Sequence, residues 1–214
     1  MYFRDKLLAM KHTLSILMII LFANFSKAQT NNYKDLWSKV DTFEMQGLPK
    51  SALKIVETIE KQATKDKNTP LLIKSMLFKS KFALVLEEDA QLKIINDFKK
   101  QIALNNFPTK NILENLLANM YWQYFNENRW QFYSRTETSE KVDTEDFRTW
   151  DLQTLFNEVH IHYQNSLQNG LMLQLEALNK YDDILKLQEE SKIYRPTLFD
   201  FLNHNALLFY KTDE

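Results

Sequence analysis

From about Asn32 onward, apolar residues recur at three- and four-residue intervals, the spacing of one buried face on an α-helix. Leu36, Val40 and Phe43, with Trp37 beside them, predict a helix from Asn32 to Gln46. Ala52, Val56, Ile59 and Ala63 predict a second, from Pro49 to about Asp66, with Lys50, Lys54, Glu57, Glu60 and Lys61 on its solvated faces. A third runs from Pro70 to about Leu86, with Leu72, Met76 and Ala83 on one flank and Phe78, Phe82 and Val85 on another. After the turn Glu87-Glu88-Asp89, the positions Leu92, Ile95, Phe98 and Ile102 predict a fourth as far as Leu104. A fifth opens at Pro108, and Ile112, Leu113, Leu116, Leu117 and Met120 give it a broad apolar face.

Gly47 is placed to close the first helix, because glycine enters the left-handed conformation of a helix end without steric cost. Pro49, Pro70 and Pro108 read as first-turn prolines, where a missing N–H is no loss, and Asn68 before Pro70 reads as a capping residue. Helix starts near Asn32, Pro70 and Pro108 therefore recur roughly every 38 residues, near the tetratricopeptide and HEAT periods. The diagnostic side chains of those repeats do not recur in register. Further on, Leu152, Leu155, Phe156, Val159 and Tyr163 predict a helix from about Arg148 to Leu167, with Gly170 ending it. Leu171–Gln188 reads as one or two shorter helices, and Pro196 as the start of a last one carrying Leu198, Leu202, Ala206 and Phe209.

Two glycines and four prolines in 214 residues are too few for turn-rich β-sandwiches or doubly wound α/β folds. The expected fold is all-α, an array of antiparallel helical hairpins of tetratricopeptide or HEAT type. The expected organisation is a signal peptide over residues 1–28, with a start-site extension over 1–9, followed by one helical-array domain over 29–214. Lys11 and His12 precede the apolar run Leu14–Phe25, and Ser26-Lys27-Ala28 puts small residues where a signal peptidase reads. Met10 looks like the natural start, and cleavage is expected before Gln29; an uncleaved anchor is the alternative, for which the run is short.

The chain has no cysteine, which removes disulfides, thiol catalysis, cysteine–zinc sites and a lipid anchor on an N-terminal cysteine. A disulfide-free exported protein suits a bacterial periplasm or cell envelope. Arg4, Lys6, Lys11 and Lys27 against Asp5 give the leader a net +3, so a chain of formal charge −1 leaves a mature part near −4. Counterion-driven nucleic-acid binding needs a basic surface, which this charge does not supply. Membrane contact is expected only through the signal peptide during export.

Tyr121, Trp122, Tyr124, Phe125, Trp130, Phe132 and Tyr133 concentrate aromatics around Arg129. This cluster is either core, with Tyr121 and Phe125 inward, or a binding surface. Trp, Tyr and Arg are enriched at protein hot spots, and Trp122, Arg129 and Trp130 are the candidate partner contacts. Ser134–Asp146 reads as an exposed polar loop; its Glu137, Glu140, Asp143, Glu145 and Asp146 lack the spacing and glycine of an EF-hand. His160 and His162, two apart on a helix, lack zinc-helix spacing and read as surface or capping residues. No catalytic constellation, cofactor motif or metal-ligand spacing stands out, so a non-enzymatic protein is expected.

Three segments carry a family likeness when taken in order. They are Gly47-Leu48-Pro49-Lys50-Ser51-Ala52-Leu53; Asn128-Arg129-Trp130 with Asp146-Phe147-Arg148-Thr149-Trp150-Asp151-Leu152; and Tyr194–Leu202 running into Phe209-Tyr210-Lys211-Thr212-Asp213-Glu214. Together they resemble the N-terminal helical region of large exported alpha-2-macroglobulin family proteins from Bacteroidetes-type bacteria, over about Tyr33–Glu214. The resemblance implies a scaffold leading into β-sandwich macroglobulin domains of an endopeptidase inhibitor. Its partners would be those domains and a protease, and the chain would be a truncated frame or a fragment. No bait or thioester residue carries over. The alternative expectation is a stand-alone periplasmic helical-repeat module that binds a protein, peptide or glycan.

Overall fold

A computed structural model describes residues 32–136, 143–185 and 190–212, and the fold of these residues is all-α. One isolated antiparallel bridge joins Ala177 to Thr197. The expected export signal over residues 1–28 lies outside the described residues, as do Glu137 and Glu140. Among the described residues no helix is long and apolar enough to cross a membrane. The chain divides into two compact units between Ile59 and Glu60.

In the first unit, helix α1 (residues 32–45) closes on a left-handed turn. Gly47 has φ +68°, the Leu48 amide donates to the Phe43 carbonyl at 2.9 Å, and the Gly47 amide to Glu44 at 3.0 Å. These reversed bonds satisfy carbonyls that the helix end leaves open. Helix α2 (Pro49–Lys65) then begins on Pro49, as expected. The buried face of α1 is Tyr33, Trp37 and Val40, while Leu36 stays partly exposed, a slight rotation from the predicted stripe. On α2 the predicted Ala52, Val56, Ile59 and Ala63 are all fully buried.

The same device recurs at the end of α2, within the second unit, on a different residue. Lys67 has φ +53°, and the Asn68 amide donates to the Ala63 carbonyl at 2.9 Å. The Asn68 side chain accepts from the Leu71 amide and caps α3 (Thr69–Leu86), with Pro70 in the first turn. Helix α4 (Ala90–Leu104) follows the turn at 87–89, and α5 (Thr109–Tyr133) follows Pro108, which holds the cap position rather than the first turn. Val85, expected inside, is 70% exposed.

Consecutive helices pack in chain order, α3 on α4, α4 on α5, and α5 on α6 (Leu152–Ser166), as short connections between antiparallel neighbours impose. Helix α5 also meets α3 and α9 (Leu198–Tyr210), and α7 (Gly170–Leu175) meets α9. At 25 residues, α5 is the element on which the second unit is assembled. It is buried on more than the predicted face: Asn111, Glu114, Asn115 and Tyr121 are as deep as Leu113 and Leu117.

Three predicted boundaries move, each for a local reason. No helix starts at Arg148: residues 147–149 form a single 3-10 turn, and α6 starts at Leu152. Asp146 accepts from the Arg148 amide at 3.0 Å and Asp151 from the Thr154 amide at 2.7 Å, so two caps in succession interrupt the helix. Gly170 does not end α6; Asn169 takes the left-handed turn at φ +60°, and Gly170 opens α7. A Cβ on Gly170 would lie 3.3 Å from the Phe199 ring, so close approach is its role. Pro196 precedes α9 without starting it, since Thr197 caps the helix and shares a capping box with Asp200. Helix α8 is the short Ser191–Tyr194.

Candidate functional site

The described surface of the second unit carries a groove of about 360 Å³ between α3, α4, α5 and Phe147. Its floor comes from Ile94, Ile95 and Met120, with the Phe147 ring at one side. Phe147 is held edge-on against Tyr121 (centroids 5.3 Å apart) and Tyr124 (4.8 Å), so this wall is packed from behind. Ser80 and Leu84 come from α3, Gln91 from α4, and Gln123, Tyr124 and Glu127 from α5. The polar lining is thus two carboxamides, from α4 and α5, the hydroxyls of Ser80 and Tyr124, and a single carboxylate.

Phe147 owes its position to the chain around it. The Arg148 guanidinium donates twice to Asp146 (Nε and Nη2, each 2.8 Å) and from Nη1 to Asp89 at 2.6 Å. The hydrogen bond from Arg148 holds the Asp146 carboxyl below the usual carboxylate range. Trp150 is buried, with its indole N–H on the Asp143 carbonyl and its own carbonyl accepting from Arg135 at 2.6 Å. Asp143 also accepts from the Glu145 amide at 2.8 Å. The carboxylates of Asp143 and Asp146 therefore serve backbone turns and Arg148; among the described residues no metal-ligating group of three or more occurs.

The three candidate contacts have different surroundings, although Trp122 and Arg129 both lie against Phe125. Trp122 is half-buried among Phe125 (5.3 Å), Phe209 (5.2 Å) and Phe156 (5.8 Å), which makes it part of the α5–α6–α9 packing. Arg129 is exposed, donates to Asn126 at 2.9 Å and lies 5.4 Å from the Phe125 ring centre. Trp130 is 72% exposed and turned outward past a kink at Asn128. Asn128 leaves helical geometry (φ −123°, ψ 21°), and its side-chain amide donates to the Tyr124 carbonyl at 2.9 Å. The aromatic cluster is thus mixed: Tyr121, Phe125 and Phe132 are core, while Trp130 and Tyr133 are surface.

His162 corrects the expectation of surface histidines. His160 is exposed and bonded to the Tyr210 hydroxyl, but the His162 side chain is only 13% exposed. It lies between Glu114 of α5 and Glu158 of its own helix, stacked on Tyr121 at 5.8 Å. Nearby, the Asn111 amide donates to the Ser166 and Gln168 carbonyls at 3.0 and 2.9 Å, closing the end of α6. The Asn115 amide donates to Ser166 Oγ and to the Leu202 carbonyl, each at 3.1 Å, and its oxygen accepts from Asn205 at 2.8 Å. This polar seam fixes α5 against α6 and α9, and so fixes the helix that carries four groove residues, Met120, Gln123, Tyr124 and Glu127. Sequence reading passed over it, although Asn111, Glu114 and Asn115 share one helical face and Glu158 stands four residues before His162.

Compared with models of known protein families, with curated proteins and with solved structures, the chain matches none.

Proposed function

We propose that this chain is a non-enzymatic, exported scaffold and interaction domain that receives a partner in the α3–α4–α5 groove. The supporting observation is the groove's chemistry. Aliphatic side chains beside carboxamides from two helices can hold and orient a ligand. Its volume falls in the range of ligand sites, about 300–1,000 Å³. Paired acid and base groups for chemistry do not line it; Glu127 is the one ionisable side chain of its rim apart from the Tyr124 phenol. On the motif resemblance, the domain serves ahead of the macroglobulin domains of an endopeptidase inhibitor. Acting alone in the periplasm is the second reading, favoured by the exposed Trp130 one turn beyond Glu127.

A photo-crosslinking residue at Gln123 tests the interaction role in the exported fraction of the source cells, with the same residue at Lys61 as control. The expected outcome is an adduct from position 123 alone. No adduct, or equal adducts from both positions, overturns it. Mass spectrometry of the native product then separates the two settings: peptides from this segment within a very large protein support the inhibitor scaffold, and a product of its own length supports the independent module.

A further inference from the structure

We infer that the groove takes an extended basic peptide segment, with an aliphatic side chain on the floor and a lysine or arginine at the acidic rim. This rests on the interaction reading and adds the partner's chemistry. Gln91 of α4 and Gln123 of α5 both line the groove, and each carboxamide offers both a donor and an acceptor. An extended backbone presents both along its length, whereas a folded helix has used them internally. The floor of Ile94, Ile95 and Met120 suits a leucine- or valine-sized side chain, and Leu84 at the mouth is left 55% exposed.

Charge sets the sign of the partner. The turn joining the α3 and α4 walls is Glu87-Glu88-Asp89, and Glu127 lines the α5 wall. Lys93 neutralises Glu87 at 2.7 Å and Arg148 reaches Asp89 at 2.6 Å, while Arg148 is shared with Asp146. Glu88 and Glu127 have no cation assigned to them among the described residues. The one carboxylate of the rim, Glu127, thus keeps its charge, which attracts a cationic segment and repels an acidic one.

The test uses the full chain with labelled isoleucine and methionine methyl groups, titrated with two blocked pentapeptides. One alternates lysine with leucine, and the other alternates glutamate with leucine. The expected result is that the basic peptide moves the Ile94, Ile95 and Met120 signals and binds at least tenfold more tightly than the acidic one. Glu127→Gln, an exposed change that leaves the core intact, should weaken the basic peptide about threefold, in line with a single exposed ion pair. Equal binding of both peptides, or no effect of Glu127→Gln, overturns the basic-peptide assignment. If neither peptide binds while position 123 still crosslinks, the assignment falls and the interaction role stands. If neither occurs, both fall.

Discussion

The Nδ1 atom of His162 lies 2.5 Å from Oε2 of Glu114, an ion-pairing contact between α6 and α5 beside the Asn111 and Asn115 hydrogen bonds that join the same helices. The other ring nitrogen is 3.6 Å from Glu158. Burial by itself pulls the imidazole pKa down, but hydrogen bonds and attraction from Glu114 and Glu158 outweigh it and raise the value. In the unfolded chain the group titrates near its ordinary value of about 6.5. Its stabilisation is therefore complete below that pH and fades as pH rises through the raised folded value. The thermal midpoint of the chain should fall more steeply from pH 6.5 to 8.5 than that of His162→Gln. Equal slopes would show that the pair does not involve a charged imidazole.

Removing one partner should be worse than removing both. His162→Ala leaves the Glu114 carboxylate buried without its cation, an expected loss of about 3–5 kcal/mol. Glu114→Met combined with His162→Met refills the space with apolar volume and should recover much of that loss. Urea unfolding of the two variants checks the order. A double variant less stable than the single would mean that the pair contributes net stability of its own.

The helices were legible because each hides an apolar stripe, and α2 shows it most plainly: Ala52, Val56, Ile59 and Ala63 are spaced and buried as read. The reading failed where polar residues do core work. On α5 the apolar face of Leu113 and Leu117 was visible, but the opposite seam of Asn111, Glu114 and Asn115 is buried only because α6 and α9 arrive with matching groups. Those partners lie 51 to 90 residues away for Asn115, beyond any local period. The groove was hidden for the same reason, since its walls come from α3, α4, α5 and Phe147. The motif residues Asp146, Phe147, Arg148, Trp150 and Asp151 were noticed as a family likeness, and each has a structural role as a cap, a plug or a clamp.

Gly47 and Lys67 occupy the same left-handed position at the ends of α1 and α2, with φ +68° and +53°. A Cβ on Gly47 would meet nothing within 4 Å, so the cost of Gly47→Ala comes from backbone conformation alone, about 1–2 kcal/mol. Lys67→Gly relieves that strain, offset in part by the greater freedom of glycine in the unfolded chain, for a net gain of up to about 1 kcal/mol. Thermal unfolding should therefore move down for the first and up for the second. A loss of stability from Lys67→Gly would mean that its side chain contributes more than its backbone costs.

Arg148 ties Phe147 to the N-terminal end of α4 by spanning Asp146 and Asp89. Lysine is a point charge without the planar fork, so Arg148→Lys cannot hold both carboxylates in this geometry. The expected cost is about 1 kcal/mol of stability, with faster amide exchange across residues 147–149 and shifted methyl signals from Ile95 in the groove. Asp146→Asn keeps an oxygen for the Arg148 amide and loses only the charge, so its effect should be smaller. The depressed Asp146 carboxyl adds a pH signature. Its stabilisation is present above the ordinary carboxylate pKa and is lost only as pH falls through the lower folded value. Exchange protection at 147–149 should thus hold steady from pH 7 to about 4 and drop below that. Protection already lost near pH 5, or unaffected by Arg148→Lys, would show that the segment is held by Trp150 packing instead of the clamp.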